Sequence, residues 1–550
     1  MTSRLRNWLG TAPKPALRDP EFRGPRAEGR NQAAARSPNA AIGSRPSGFF
    51  RVSALILPLL LWLPRPAFGT GETNSLVMLP WYESRTAHFH TYSCGPQREV
   101  AKLTARLEQF QDAYAMLAGA QAVSSPPVVV MAYPNHAAME PFLPLYHGRP
   151  ANLDAFFLRG SDENLIVLCL LADGTPSMAT VYHEYAHLLL RHNQQFWPVW
   201  LNEGMAEVYS TFEVAGNSGV RIGTPIQHHL RVLAHSPLWT LLTLFKVTHD
   251  SPEYNEDEHQ GVFYAESWLL THYLMLGPNP ARRARFGLLT TLLRQGQSPV
   301  QAFTNAFQTT LPAMESELRA YLAAGRFAPA EFNTGADLSG AQLMTTRMLA
   351  PVETCLRLGD QLMRIRRLDQ AEAYFDQAKK LAPASPFPYE GLGLLAAERE
   401  QPEAAVRWLR EALQRGSTSY LAHYTYAMEK YRATSSSPGS YAPVAKELAA
   451  EIRAELIRSV VLMPSFGPGH HLLGFFEMVQ RENLAQAEQH LAEAIRLEPE
   501  NASYLLSLAQ VQMARKDLPA ARRTLDSLRL PYVDSNLRDA ALRLIEKLGR

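Results

Sequence analysis

A 34-residue recurrence constrains this chain more than any other feature. Ala371, Ala405, Ala487 and Ala521 occupy equivalent places in four segments, at spacings of 34, 82 and 34. Four residues after each come Phe375, Leu409, Leu491 and Leu525, and three further on Ala378, Ala412, Ala494 and Leu528. Such offsets share one helix face, so each segment predicts a helix with a stripe of alternating small and large residues. The small residues let a paired helix approach closely, and the large ones fill the space towards the next repeat. Pro383 and Pro499 fall five residues beyond the last small residue and end their helices. The 82-residue spacing is two periods and 14 residues, which predicts a fifth, divergent repeat with an insertion at Ser435-Ser-Ser-Pro-Gly-Ser440.

This period and pattern resemble tetratricopeptide repeats. The resemblance implies an all-α solenoid over about 351–550, serving as a protein- or peptide-binding surface, a structural stack or a dimerisation face. At 550 residues the chain exceeds one compact core. Hydrophobic residues at 46% and charged residues at 19% exclude a disordered chain, and a net charge of +2 argues against a nucleic-acid partner. The charge is uneven. Residues 1–69 hold eleven Lys/Arg and three Asp/Glu, leaving 43 basic against 49 acidic residues elsewhere. Residues 1–51 are rich in Arg, Pro and Gly without hydrophobic period and read as an unstructured lead. Val52–Leu63 is an apolar run of twelve, too short to cross a bilayer of about 30 Å. With Ala67 and Gly69 behind it, the run reads as a secretory signal cleaved near Gly69; membrane attachment follows only if it stays uncleaved. The expected location is periplasmic or extracellular. The three cysteines exclude a disulfide scaffold and a four-thiolate metal site, and Cys169, in an apolar run, reads as a buried free thiol.

The middle of the chain carries the chemistry. Val100, Leu103, Leu107, Phe110, Tyr114 and Leu117 predict a helix over Pro96–Leu117, and Val128–Tyr133 and Leu165–Leu171 are apolar runs of strand length. Thr175-Pro176 supplies an N-cap and an N1 proline for a helix running to about His192. That helix contains His183-Glu184-Tyr185-Ala186-His187, an HExxH motif. Residues four apart differ by about 40° around a helix axis, so both imidazoles point to one side, where they suit Zn²⁺. Glu184 lies about 100° from His183, placed to meet water rather than the metal.

Leu190 and Asn193 stand where metzincins need Gly and a third His, which excludes that class, and the inverted HxxEH order is absent from this stretch. His183–His187 with Trp200-Leu-Asn-Glu-Gly204 resembles the gluzincins, notably the aminopeptidase N family and thermolysin relatives. The resemblance implies that Glu203, 16 residues after His187, is the third ligand of Zn²⁺, on a second antiparallel helix after a turn at Asn193–Trp197 and Pro198. The gap is about three residues shorter than in aminopeptidase N by that comparison. In thermolysin-like relatives an acidic residue in the place of Glu207 orients a ligand histidine, in keeping with the usual N–H donation from such a histidine to a carboxylate. Val262-Phe-Tyr264-Ala-Glu266-Ser-Trp268 is similar to the aminopeptidase N segment whose tyrosine opens an apolar helix and stabilises the oxyanion; the resemblance gives Tyr264 that role. The Gly-Ala-Met-Glu-Asn strand that reads a free amine has only the displaced echo Ala138-Met139-Glu140, so exopeptidase activity is not implied. His228, His229, His235, His249, His259 and His272 lack ligand spacing to the motif and read as surface or satisfied core residues; His192, five residues after His187 on the same helix, points off the ligand face; and Arg282-Arg283-Ala284-Arg285 reads as a solvated helix start.

The expected architecture is an α+β zincin-like domain, a small sheet with the HExxH helix and a helical subdomain, over 70–335, followed by the solenoid over 351–550. The expected function is zinc-dependent peptide-bond hydrolysis by an endopeptidase of gluzincin type, acting on a peptide or protein. Two alternatives stay open: a catalytically silent zincin scaffold serving a repeat-based binding protein, and a zinc hydrolase acting on non-peptide substrates.

Overall fold

A computed structural model describes residues 76–548 apart from 119–127, 147, 152, 159, 161, 171–177, 194–196, 217, 249–250, 252–256, 334–344, 435–440, 500 and 530–532. The signal-like segment 52–63, the cap at Thr175-Pro176 and the insertion at 435–440 lie outside those residues. Among the described residues no helix is long and apolar enough to cross a membrane.

The first unit is built on a six-stranded sheet. Its strands are β1 (Tyr82–Arg85), β2 (Phe89–Ser93), β3 (Val128–Tyr133), β4 (Ala155–Leu158), β5 (Asn164–Cys169) and β9 (Thr345–Met348), in the order β9-β1-β2-β3-β5-β4. β3 runs parallel to both β2 and β5, while the β4 and β9 edges are antiparallel. β3 and β5 are buried on both faces, which is why they read as unbroken apolar runs. Alternate side chains serve two cores. Val128, Val130, Ala132, Ile166 and Leu168 face a core shared with α1 (Gln97–Ala118) and α2 (Met178–Asn193). Val129, Met131, Tyr133, Leu165, Val167 and Cys169 face a second core.

The second core joins the two units. α10 (Pro351–Arg364) and α11 (Leu368–Leu381), the first helix pair of the C-terminal array, pack Cys355, Leu358, Leu362 and Phe375 against the back of the sheet. β9 pairs with β1, Tyr82 opposite Met348, so part of the stretch between 335 and 351 belongs to the sheet. Polar pairs pin the junction: the Tyr133 hydroxyl donates to Gln361 Oε1 (2.7 Å), and Arg364 Nη2 lies 2.6 Å from Asp162 Oδ2 and 3.3 Å from Glu163 Oε1. Asp162 is held below the usual carboxylate range because Arg364 outweighs the cost of burial. Arg364→Leu leaves buried carboxylates uncompensated and is expected to cost about 3–5 kcal/mol. Thermal unfolding of the full chain checks this, and Asp162→Asn added to Arg364→Leu should recover part of the loss.

Four further helix pairs continue the array: α12 (Phe387–Glu398) with α13 (Pro402–Gln414), α14 (Tyr420–Arg432) with α15 (Lys446–Leu462), α16 (Gly467–Gln480) with α17 (Leu484–Leu497), and α18 (Ala502–Ala514) with α19 (Leu518–Ser527). α20 (Ser535–Leu548) closes it. The twelve aligned positions of the sequence stripe are all buried. Their close fit is visible at Gly391, where a Cβ would come within 2.5 Å of the Phe375 ring. The divergent repeat is the third pair. Its stripe is Ile452, Leu456 and Ser459, all buried, and its extra residues fall between the end of α14 and the start of α15.

Between sheet and array lie α3 (Val199–Ser210), a hairpin of β6 (Glu213–Ala215) and β7 (Gly219–Ile222), α4 (Gln227–His235), α5 (Leu241–Lys246), α6 (Asp257–Leu276), α7 (Pro280–Arg294), α8 (Pro299–Phe307), α9 (Leu311–Ala324) and β8 (Ala330–Asn333), which pairs with β7. α6 is the central helix of this layer: Phe263, Ala265, Trp268, Leu269, Leu270 and Leu274 are fully buried. Arg282 departs from the solvated reading. It reaches inward to Glu317 (2.5 Å), which also accepts the Tyr273 hydroxyl (2.6 Å).

Candidate metal centre

α2 is fixed on its apolar side and leaves one edge free for chemistry. Val181, Tyr182, Tyr185 and Ala186 are buried; Tyr182 stacks on Phe110 of α1 at 4.7 Å, and the Tyr185 hydroxyl donates to Gln111 Oε1 at 2.6 Å. The helix can therefore neither rotate nor slide without breaking this contact with α1. On its other edge His183 and His187 meet Glu203 of α3. The distances are 3.1 Å between the two Nε2 atoms, 3.5 Å from His183 Nε2 to Glu203 Oε2, and 3.2 Å from His187 Nε2 to the same oxygen. Glu203 is 1% exposed, a burial that a carboxylate tolerates only with charge-compensating neighbours. Among the described residues these three form the one group of His, Cys, Asp and Glu close enough to share a metal ion.

The donor set fits Zn²⁺. Tetrahedral bonds of about 2.0–2.1 Å place ligand atoms about 3.3–3.4 Å apart, close to the three separations found. The outer nitrogens favour the same arrangement. His183 Nδ1 faces Glu207 Oε1 at 3.6 Å and His187 Nδ1 faces Asn202 Oδ1 at 3.5 Å. Oxygen acceptors there favour a proton on each Nδ1 and turn the Nε2 lone pairs inward. Electrostatics add a separate preference, for positive charge. Burial acts to lower the pKa of His183, but the carboxylates of Glu207, Glu203 and Glu184 outweigh it and hold the imidazole up at about 9. The centre thus favours a positive charge. Burial likewise pushes Glu207 up, yet His229 and His183 hold it below the ordinary carboxylate range.

Helix α3 owes its position to a glycine. A Cβ on Gly204 would stand 2.1 Å from Thr271 Oγ1 and 2.3 Å from the Ser267 carbonyl oxygen, both on α6. Only glycine lets the two helices touch, and the touching point is next in sequence to Glu203.

The structure brings His183, Glu184, His187, Glu203 and Glu207 to one place. Glu184 is half-buried on α2 beside His183. Tyr264 joins them, its ring centroid 6.5 Å from that of His183. It does not open a helix, however: α6 begins at Asp257, and Tyr264 lies about two turns in, because the apolar pattern starts after the helix does. Glu266 is turned away and accepts the Trp239 N–H at 2.6 Å; burial lifts it to about 7. Met139 is buried in the second core, on the sheet face opposite the centre.

Two residues escaped the sequence reading. Asn202 had a weak local signal, its place beside Glu203. His229 had none: it is a buried core residue, as expected, and the structure adds that it sits 3.2 Å from Glu207. His272 does satisfy core bonds, to the Gly223 carbonyl oxygen (2.8 Å) and the Tyr321 hydroxyl (2.9 Å), and His235 caps Arg231 O on the surface. His249 and the side chains of His192 and His259 lie outside the described residues.

Comparison with known proteins assigns the C-terminal part. Residues 478–545 match the profile of the tetratricopeptide repeat family. With the helix pairs above, the C-terminal third is a tetratricopeptide-repeat region, an architecture of protein–protein interaction. Residues 177–282, which span the candidate centre, match a family described as protein of unknown function DUF1570. No curated protein matches the chain. Similar solved structures include YrrB, a tetratricopeptide-repeat protein with an unusual peptide-binding site (18% identity over 35% of this chain and 90% of that one, TM-score 0.29). Others are a thermophilic repeat protein of Thermus thermophilus (20%, 36% and 99%, TM-score 0.27) and PilF of Pseudomonas aeruginosa (19%, 36% and 90%, TM-score 0.28).

Proposed function

We propose that the centre on α2 and α3 is that of a zinc-dependent peptidase of gluzincin type, acting as an endopeptidase, and that the repeats dock a protein partner. The observation that carries this reading is the triangle of His183, His187 and Glu203 atoms at tetrahedral spacing, with a further carboxylate, Glu184, on the same helix as the histidines. Those three residues hold the ion. When bound, Zn²⁺ supplies Lewis acidity, polarising a carbonyl and making water acidic near pH 7. The Glu184 carboxylate takes a proton from the attacking water and returns it to the leaving nitrogen. The Tyr264 hydroxyl donates to the oxygen on which charge develops. Glu207 keeps the His183 ring aimed. The apolar run at 52–63 supports an exported location, which cell fractionation tests.

Metal analysis of the purified chain tests the centre: about one Zn²⁺ per chain is expected, with Glu203→Ala losing far more affinity than Glu207→Ala, whose loss should be about 10–100-fold. A zinc-reconstituted chain that holds no metal would leave a repeat-based binding protein. For Tyr264→Phe the expected result is a kcat lower by roughly 10²–10³ with KM nearly unchanged, since the phenol favours the transition state over the ground state. Turnover and melting temperature on the same sample decide this; a lowered Tm with unchanged turnover assigns the hydroxyl to packing.

A further inference from the structure

We infer that His229 is a positioning residue of the metal centre, acting through Glu207 on the imidazole of His183; the inference rests on the zinc reading above. His229 lies on α4, 22 residues after Glu207 and across the β6–β7 hairpin from it. It is 6% exposed. Its Nε2 stands 3.2 Å from Glu207 Oε2, while the other oxygen of that carboxylate, Oε1, faces His183 Nδ1 at 3.6 Å. One carboxylate thus divides its two oxygens between two imidazoles from different helices. The His229 ring is walled by Trp268 of α6, their centroids 5.9 Å apart.

This arrangement has a physical consequence. A half-buried carboxylate whose two oxygens face different partners is held from swinging towards either one. His183 reaches only Oε1. With Oε2 drawn towards His229 Nε2 at 3.2 Å, the carboxylate is steered from both sides, and with it the direction in which His183 turns its Nε2 lone pair. Partners one step removed from a metal ligand typically carry 10–100-fold in metal affinity. His229 stands one step further out, yet it is what determines where Glu207 points. Packing alone does not account for it, because a histidine kept only to fill space has no reason to aim a nitrogen at a carboxylate.

The test uses the full chain, Zn²⁺ competition against a chromophoric chelator, and the visible spectrum of the Co²⁺-substituted protein. His229→Phe keeps the volume and removes the donor; it should weaken Zn²⁺ binding by about 10–100-fold and shift the Co²⁺ bands. His229→Gln places an amide N–H near the same position and should restore most of the affinity, whereas the shorter His229→Asn should not. In a Glu207→Ala background His229→Phe should change affinity by less than about twofold, since the two act in series. Wild-type Zn²⁺ affinity and an unshifted spectrum in His229→Phe would overturn the inference and leave the zinc reading standing. An undiminished loss in the Glu207→Ala background would overturn it too, placing the effect of His229 elsewhere in the fold. If His229→Phe fails to fold, the Gln and Asn pair decides: equal affinities overturn the inference. A wild-type chain that takes up neither Zn²⁺ nor Co²⁺ removes the zinc reading and the inference together.

Discussion

Glu184→Gln should retain about one Zn²⁺ per chain and lose peptide hydrolysis by at least about 10²-fold. The two outcomes separate because Glu184 shares a helix with the ligands without being one. In the proposed centre the ion would be held by His183, His187 and Glu203, whose facing atoms are 3.1–3.5 Å apart. Glutamine matches glutamate in size and keeps an acceptor oxygen, so α2 should keep its packing on α1. What it lacks is a basic oxygen for the proton of attacking water. Turnover on a peptide mixture, set beside metal content of the same preparation, checks this. Hydrolysis persisting at the wild-type rate would point to another base, and loss of metal along with activity would mean that the ligand set is misassigned.

Gly204→Ala should destabilise the chain by about 3 kcal/mol or more, although alanine is the better helix former by up to about 1 kcal/mol. The new methyl would meet the Ser267 carbonyl oxygen at 2.3 Å and Thr271 Oγ1 at 2.1 Å. A side-chain hydroxyl can rotate aside, but a helix carbonyl cannot, so α3 and α6 must part. That movement carries Glu203, one residue away, off the two imidazoles. A fall in melting temperature of roughly 5 °C or more is therefore expected together with at least tenfold weaker Zn²⁺ binding. Thr271→Ala should rescue little of either loss, because the carbonyl remains. Melting curves and chelator competition on both variants provide the check.

Much of this molecule was legible in spacing alone. The phase of the repeats could be read because residues four and seven apart share a helix face whatever surrounds them, and all twelve aligned positions lie buried. The pairing of His183 with His187 was readable for the same local reason. The apolar runs of β3 and β5 announced strands covered on both faces. What the spacing could not settle were encounters between distant segments. Thr345–Met348 is a short, largely exposed strand with little apolar pattern, and it exists because β1 offers it an open edge. Arg282 looked solvated within its basic run until Glu317 and Tyr273 arrived from other helices. His229 carried no neighbouring signal, since its partner Glu207 approaches only after the β6–β7 hairpin reverses the chain. Local periodicity thus determined which residues share a face. Which faces bury one another was decided by apolar area and by the need of buried charges for partners. The first repeat sealing the back of the sheet and the Arg364–Asp162 pair that pins it there are properties of the folded chain alone.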